Sequence, residues 1–402
     1  MDVLSQKKIV LGVCGSIAAY KIAELARNLT LAGARVDVIL TEAAERFVGR
    51  ATFQAVTGRP VLTDMWELPD DGVVGHVALG VQADLVVVAP ATANTLARIA
   101  AGICDDLLTT TVLVTQAPIL CAPAMNPQMY AAAVTQENIA RLRRRGFMVL
   151  EPGVGRMAEP MVGRGRLPEP AQLEGEIRAL LGRHAGPLGG KRVVISAGGT
   201  HEPIDPVRFV GNRASGQMGY ALAAIARDLG AGVTLVSGPT ALTPPPAVQL
   251  IPVETALQMR DAVYTACEQA DMLIMNAAVA DFRPDRAVDQ KIKKSGDGGL
   301  LLELVPNPDI LAGLADRNDL FKVGFAAETN DLLAHAEGKL QRKGLQLIVA
   351  NDAVSSIGQP DIELLLLAPG GQHERLPRRP KPVAAALLME RIVEYFQRYQ
   401  AH

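Results

Sequence analysis

Short apolar runs alternate with longer amphipathic stretches along the chain, and the cycle occurs twice. Lys8 to Val13 is a compact apolar run that leads into the glycine-bearing turn Gly12-Val13-Cys14-Gly15-Ser16. Residues 17–32 then place apolar positions at helical spacing through Ile17, Tyr20, Ala23 and Leu31, and Gly33 is suited to end that helix. Arg35 to Leu40 is the next strand, ending at Thr41, and Asp84 to Ala89 and Ile119 to Ala122 are two more. The second cycle begins at Val193 to Ala197, which runs into Gly198-Gly199-Thr200, a polar loop, and an amphipathic helix opened by Ser215-Gly216. Strands follow at Gly230 to Gly238, Asp271 to Asn276, Val323 to Thr329 and Leu347 to Asp352, and Lys381 to Gln397 is a terminal amphipathic helix that packs on its own domain or on a second subunit. Strand, helix, strand with glycines in the first turn predicts a parallel, doubly wound sheet. The expected fold is therefore α/β, with two doubly wound, mainly parallel-sheet, Rossmann-like domains. Leu173 to Arg183 closes the first, and His184 to Gly190 has linker composition, giving boundaries of 1–185, a linker at 186–190, and 191–402.

Composition narrows the classes of function. Forty basic against 42 acidic residues leave no electrostatic footprint for nucleic acid or an anionic membrane. Cys14, Cys104, Cys121 and Cys267 form neither a CxxC pair nor a disulfide framework, which fits the cytoplasm. Lys7-Lys8 before IVLGV looks superficially like a leader peptide. Charged Lys21 and Glu24 follow so soon that a first buried strand fits better, and no apolar stretch is long enough to span a bilayer.

The chemistry-bearing residues collect at predicted strand ends, where open parallel sheets bind ligands. In the first half these are Gly15 and Ser16, then Thr41, then Pro90-Ala91-Thr92-Ala93-Asn94-Thr95, then Pro123-Ala124-Met125-Asn126-Pro127-Gln128-Met129-Tyr130. The first turn is not GxGxxG. Ser16 and Thr41 suit a phosphate monoester better than a ribose diol, and a purely structural turn is the competing reading. His76 stands alone in the segment Gly72 to His76, where it is either catalytic or merely structural or solvated. Asn126 before Pro127 also fits a helix N-cap. In the second half, Arg208, Asn212 and Arg213 follow the glycine turn, and Gln290 to Lys294 is either a solvated cationic face or a mobile closure over phosphates. Val305 to Ile310 is a helix-capping turn, and Lys339, Arg342 and Lys343 share one helix. Asp281 is either a turn cap or a Mg²⁺ ligand. No Walker A sequence is present, against an ordinary P-loop NTPase.

Together the turn Gly12 to Lys21, the PATANT segment and the PAMNPQMY segment resemble the flavin-dependent cysteine decarboxylases. Among these they are most similar to the bifunctional phosphopantothenoylcysteine decarboxylase/phosphopantothenate–cysteine ligase family of bacterial coenzyme A synthesis. The resemblance covers nearly the whole chain in that family's domain order. It implies FMN at the strand ends, with its phosphate near Gly15, Ser16, Ile17 and Thr41, and with Pro90, Thr92 and Asn94 along the cofactor. It makes His76 the acid/base group of decarboxylation, Asn126 the holder of the substrate carboxylate, and Met125 and Met129 apolar walls. A neutral amide suits a carboxylate that must leave as carbon dioxide, because it orients the group without overstabilising it. The chain departs from the family at one point. A flap with an Ala-Cys-Gly element ahead of Gly-Arg-Met supplies the cysteine assigned to the final reduction, whereas here the chain runs Leu150 to Gly155-Arg156-Met157 without a cysteine. The flap reads as shortened. Final reduction is lost, or decarboxylation is, or the sequence lacks a mobile segment, or another thiol serves, Cys14 being the nearest candidate by motif.

For the second half the resemblance implies that CTP, with Mg²⁺ or Mn²⁺, activates 4'-phosphopantothenate as an acyl-cytidylate that cysteine then attacks, giving 4'-phosphopantothenoylcysteine. Asn212 holds the intermediate, and Lys291 sits on a flexible strap. Arg208, Ala277, Ala278 and Asp281 line the nucleotide and acyl-phosphate site, with Pro308, Asp309, Ile310 and Phe325, and Lys339 and Lys343 as weaker phosphate contacts; Asp281 is the metal candidate. The family builds a homo-oligomer, a dodecamer of decarboxylase trimers and ligase dimers, with the flavin at a subunit interface. The runner-up reading is a ligase-only enzyme whose first domain binds FMN and assembles the oligomer, its decarboxylation impaired by the missing flap cysteine.

Overall fold

The computed structural model describes residues 2–66, 75–156, 161–293, 299–328, 338–352 and 359–401. Gly72 to Val74, Met157, Lys294 and Thr329, named above, lie outside them. The chain divides into two compact units, Met1–Leu181 and Gly182–His402.

In the first unit, β1 (Lys8–Val13), β2 (Arg35–Leu40), β3 (Val61–Leu62), β4 (Leu85–Ala91), β5 (Ile119–Pro123) and β6 (Met148–Val149) form one sheet of order β3-β2-β1-β4-β5-β6, parallel at every pairing. Ile9, Leu11 and Val13 join a core with α1 (Ala19–Leu31), and Val10 joins the opposite one. Burial on both faces explains why such strands read as continuous apolar runs. Short α2 (Glu42–Glu45) and α3 (Arg50–Thr57) follow β2, and α4 (Gly75–Gln82) precedes β4. Next come α5 (Ala93–Ala101) and α6 (Leu107–Val114), then α7 (Pro127–Ala131) and α8 (Ala133–Arg144). A hairpin of β7 (Gly153–Arg156) and β8 (Val162–Arg166) leads to α9 (Pro170–Ala185). The strand order reverses between β1 and β4, so the binding crevice of this fold lies beyond their C-terminal ends.

The first helix corrects the sequence reading. Its buried stripe is Ala19, Ile22, Leu25, Ala26 and Leu29, whereas Ile17, Tyr20 and Leu31 are exposed at 61%, 62% and 70%. Both sets have helical spacing, and only the packing partner decides which faces inward. Within the expected linker 186–190, one residue packs into the second unit. Leu188 is fully buried, and its N–H donates to the Leu229 carbonyl within the second unit.

The second unit has an eight-stranded sheet, β13-β12-β9-β14-β17-β18-β19-β20. Its strands are β9 (Arg192–Ala197), β12 (Gly232–Ser237), β13 (Gln249–Pro252), β14 (Met272–Met275), β17 (Phe321–Glu328), β18 (Leu347–Asp352), β19 (Asp361–Ala368) and β20 (Gln372–Pro380). The pairings from β13 to β18 are parallel, and the last two strands add antiparallel. On one face lie α10 (Gln217–Asp228) and α12 (Lys381–Gln400), and on the other α11 (Ala256–Cys267). Helix α12 buries Leu388, Met389, Ile392 and Phe396 on its own sheet, which settles its packing partner. Two small hairpins project from strand-end loops: β10 (His201–Pro203) with β11 (Phe209–Gly211), and β15 (Phe282–Pro284) with β16 (Leu304–Pro306). Among the described residues, no helix is long and apolar enough to cross a membrane.

Candidate active sites

In the first unit the crevice is built from three strand ends. After β1 the chain turns through Gly15 so tightly that a Cβ there would stand 2.5 Å from Ala43 Cβ, just past Thr41. Thr41 N donates to the Val13 carbonyl at 3.1 Å, so Gly15, Ser16 and Thr41 are brought together. The N–H groups of Gly15, Ser16 and Ile17 find no acceptor among the described residues, and the first turn of α1 holds no acid. Open donors at the start of a 13-residue helix suit a phosphate dianion. An adjoining cavity of about 180 Å³ does not suit one, because Glu42, Asp64, Asp105 and Asp106 line it. Beyond β4, Thr92 caps α5 by accepting from Thr95 N, while Asn94 is exposed.

Asn126 fills the cap position foreseen for it, with Oδ1 accepting from Gln128 N at 2.8 Å. Met125 lies in the core at 8% exposure, whereas Met129 is 50% exposed. The β7–β8 hairpin packs on this loop. Met125 N donates to the Gly165 carbonyl at 3.0 Å, and a Cβ on Gly165 would come within 2.1 Å of the Met125 carbonyl oxygen, so only glycine allows the approach. Glu151 ties the hairpin down, accepting from Tyr130 Oη at 2.9 Å, Arg143 at 2.7 Å and Arg164 at 2.9 Å. The Arg143 hydrogen bond is the chief reason its carboxyl sits below the usual range. Gly155-Arg156 thus belongs to the first strand of the hairpin, and Gly163-Arg164 and Gly165-Arg166 belong to the other. No cysteine lies between Arg156 and Val162, the facing ends of the two strands.

His76 occupies the first turn of α4, and its Nδ1 is the one buried side-chain nitrogen or oxygen without a hydrogen bond among the described residues. No hydrogen bond there joins it to Ser16, Thr41, Thr92 or Asn126. Cys14 is 1% exposed, and burial, only partly offset by its Thr95 and Thr92 hydrogen bonds, pushes its thiol up to about 11. This disfavours it as the substitute reductant, because the thiolate is the reactive form. Burial also lifts Cys121 and Cys267 to about 12. Iodoacetamide at pH 8 is expected to label Cys104, the partly exposed one, and to reach the other three only after unfolding; peptide mass mapping checks this.

In the second unit, parallel loops converge after β9 and β14. Ala278 N donates to the Gly198 carbonyl at 2.8 Å, and Ala280 N to Thr200 Oγ1 at 2.9 Å. Asn212 Nδ2 donates to the Val279 carbonyl at 3.1 Å, which brings Asn212, Ala277 and Ala278 into one group. Asn307 joins Pro308 to Ile310 onto this group, its N–H donating to the Asp281 carbonyl and its Nδ2 to the Ala280 carbonyl, both at 2.8 Å. The Asp281 side chain is exposed and caps nothing among the described residues. No group of three metal-ligating side chains occurs there either. A single carboxylate matches the way Mg²⁺ is held jointly by protein and nucleotide phosphates.

Not every expected residue joins the group. Lys343 is salt-bridged to Asp309 at 2.9 Å, and that bond together with Ala312 N outweighs burial to keep the Asp309 carboxyl low. Ile310 sits in the core on the α11 face, whereas Phe325 packs on the opposite face of the sheet. Lys339 lies in the helical turn 338–342.

Lys291 is exposed, on a strap whose anchor the sequence reading missed. Asp205, 3% exposed, accepts from Val207 N, Arg208 N, the Arg208 guanidinium and Ile292 N. Arg208 also donates to the Ile292 carbonyl at 2.8 Å, so it latches the strap. The Arg208 hydrogen bond above all holds the Asp205 carboxyl far below the usual carboxylate range. A depressed carboxyl stabilises above its unfolded value and loses that contribution only as pH falls through the folded one, so the latch stays intact across pH 4–8. Asp205→Asn would turn an amide donor toward other donors. It is expected to lower turnover of the second unit's reaction about 10- to 100-fold by misplacing Lys291. A steady-state assay checks this, and the deficit should not depend on pH between 5 and 8.

The flavoprotein family matches residues 2–182, and the family described as DNA/pantothenate metabolism flavoprotein C-terminal domain matches residues 188–396. A Mycobacterium bovis protein named coenzyme A biosynthesis bifunctional protein CoaBC is 47% identical over 407 residues, covering 97% of each chain. A Vibrio cholerae protein of the same name is 47% identical over 401 residues, covering 98% of this chain and all of its own. The crystal structure of the C-terminal domain of a protein of that name is 38% identical, covers 53% of this chain and 99% of its own, and aligns with a TM-score of 0.46.

Proposed function

The chain belongs to the family of bifunctional coenzyme A biosynthesis proteins, and on that premise we propose how its residues divide the two reactions. It is an enzyme with phosphopantothenate–cysteine ligase and phosphopantothenoylcysteine decarboxylase activities. The observation that carries this is identity at 47% running through both halves of the relatives. Nothing in those matches favours a ligase-only chain.

The first half is a flavoprotein. The open N–H groups of Gly15, Ser16 and Ile17, with Thr41, would hold the FMN phosphate, and Pro90, Thr92 and Asn94 would lie along the cofactor. When bound, FMN supplies the two-electron oxidation of the substrate thiol that lets carbon dioxide leave, and it stores those electrons for return. Asn126 orients the departing carboxylate through its amide while its oxygen caps α7. His76 exchanges the proton, Met129 offers an apolar wall, and the β7–β8 hairpin covers the site from water.

In the second half, CTP is the activating nucleotide and Mg²⁺ its counter-ion, gripped by Asp281 and by the phosphates. Asn212 holds the activated acyl group beside Ala277 and Ala278. The Lys291 strap offsets charge as the carboxylate attacks phosphorus. Pro308 and Asp309 border the nucleotide, and Lys339 and Lys343 act at longer range on its phosphates. The substrates are 4'-phosphopantothenate and cysteine, then 4'-phosphopantothenoylcysteine, in the cytoplasm.

A homo-oligomer accounts for the exposed apolar surface. Phe209, Phe282 and Leu304 stand 52%, 51% and 43% exposed on the hairpins of the second unit, which suits ligase dimers. Ile17, Tyr20, Met129 and Val162 stand exposed in the first, which suits decarboxylase trimers that complete the flavin site between subunits, and the assembly proposed from the two contacts is a dodecamer.

The test is mass spectrometry of the products formed from FMN, 4'-phosphopantothenate, cysteine, CTP and Mg²⁺. The expected product is 4'-phosphopantetheine. An enethiol two hydrogens lighter would mean that the flap without cysteine has lost the last reduction. Accumulated 4'-phosphopantothenoylcysteine would overturn the decarboxylase assignment.

A further inference from the structure

Lys381, the first residue of α12, is 8% exposed, yet its ammonium has no hydrogen-bond or ion-pair partner among the described residues. The body of the side chain is enclosed and its unpaired ammonium opens on a cavity, where partial burial draws its pKa down. Lys381 lines a cavity of about 540 Å³ in the second unit, together with Gln217, Tyr220, Leu242, Thr243 and Pro360. Gln217 is the first residue of α10, so the positive ends of a 12-residue and a 20-residue helix border the same space. Neither helix has an acid in its first turn or a side-chain cap, and no carboxylate lines the cavity. The side chains of Gln217 and Thr243 likewise have no hydrogen-bond partner among the described residues, whereas Tyr220 is satisfied by Ser237 at 3.1 Å. One wall is therefore a cation, the start of α10 and the exposed side chains of Gln217 and Thr243, the first N–H of α12 being taken by the Pro360 carbonyl, and the other is Leu242, proline and a tyrosine ring.

We propose that this cavity binds an organic phosphate, its phosphoryl group on Lys381, Gln217 and Thr243 and its apolar body against Leu242 and Pro360. A phosphoryl group supplies the charge that Lys381 lacks, and the volume leaves room for more than an inorganic ion. No residue of the Asn212–Asp281 group lines this cavity. Gln217 directly follows Gly216, at the end of the loop that carries Asn212, so an occupant would bear on that loop. This regulatory consequence rests on the ligase assignment; the binding itself does not.

The test is calorimetric titration of phenyl phosphate into the full FMN-loaded chain and its variants, each checked for an unchanged melting temperature. One site per chain is expected. Its affinity should fall at least tenfold in Lys381→Gln and severalfold in Thr243→Val, and should be unaltered in Lys291→Gln. Lys381→Arg, which keeps the charge should the glutamine variant misfold, is expected to bind. Unchanged affinity in Lys381→Gln, loss of binding in Lys291→Gln instead, or no binding by the parent chain would each overturn the proposal. Equal affinity for benzoate would overturn the assignment to phosphate.

Discussion

Lys291→Gln is expected to slow acyl-cytidylate formation by about two to three orders of magnitude, the cost typical of removing a preorganised charge from a transition state. Lys291 is exposed and carries no ion pair among the described residues, so its charge is uncommitted. Its backbone is another matter, since the next residue is clamped by Asp205 and Arg208. A free side chain on an anchored strap can meet charge that develops late without rearranging the site. The loss should therefore appear in kcat, with little change in KM for CTP. Pyrophosphate release from CTP and 4'-phosphopantothenate, followed before cysteine is added, isolates the step. A wild-type rate in the variant would sink this assignment. Lys343 provides the contrast. Asp309 already occupies its charge at 2.9 Å, so Lys343→Gln should act mainly on KM and by a smaller factor.

The sequence was informative wherever one residue type had one physical use. Both parallel sheets, their strand ends and the cap at Asn126 were legible, because buried strands show as apolar runs and Asn-Pro opens helices. The inward face of α1 was not. Ile17, Tyr20 and Leu31 fit helical spacing as Ala19, Ile22 and Leu29 do, and the two sets hold apolar residues of similar size, so only the packing partner chooses the inward face. Likewise, no local signal tells that Ile310 and Phe325 lie on opposite faces, since that depends on which helix covers each. The antiparallel β19–β20 pair went unread, although Gly370-Gly371 marks its turn with φ of 86° and 78°. Asp205 and Glu151 were missed because a carboxylate before a proline reads as a turn residue. Only the folded chain shows it gathering donors from distant segments.

His76→Asn is expected to reduce carbon dioxide release by about a hundredfold or more, the range for loss of a positioned proton-transfer group. Asparagine keeps a similar shape and a donor but cannot exchange a proton. An imidazole nitrogen buried without a partner is a poor structural choice, because leaving a polar atom unsatisfied costs about 1–3 kcal/mol. Its retention makes sense if substrate or a neighbouring subunit completes the hydrogen bond. Supplying 4'-phosphopantothenoylcysteine directly bypasses the ligase half, and flavin absorbance reports whether the cofactor still binds. Loss of decarboxylation with flavin retained and ligation untouched would support proton transfer, whereas loss of flavin would indicate a structural role. Unchanged carbon dioxide release would remove His76 from the chemistry. Where the histidine sits decides one more outcome. No hydrogen bond among the described residues ties it to the strand-end group of its own chain. If it serves a flavin held by a neighbour, mixed oligomers of His76→Asn and Asn126→Ala chains, each inactive alone, should regain part of the activity. A mixture that stays inactive would place both residues on one chain's site.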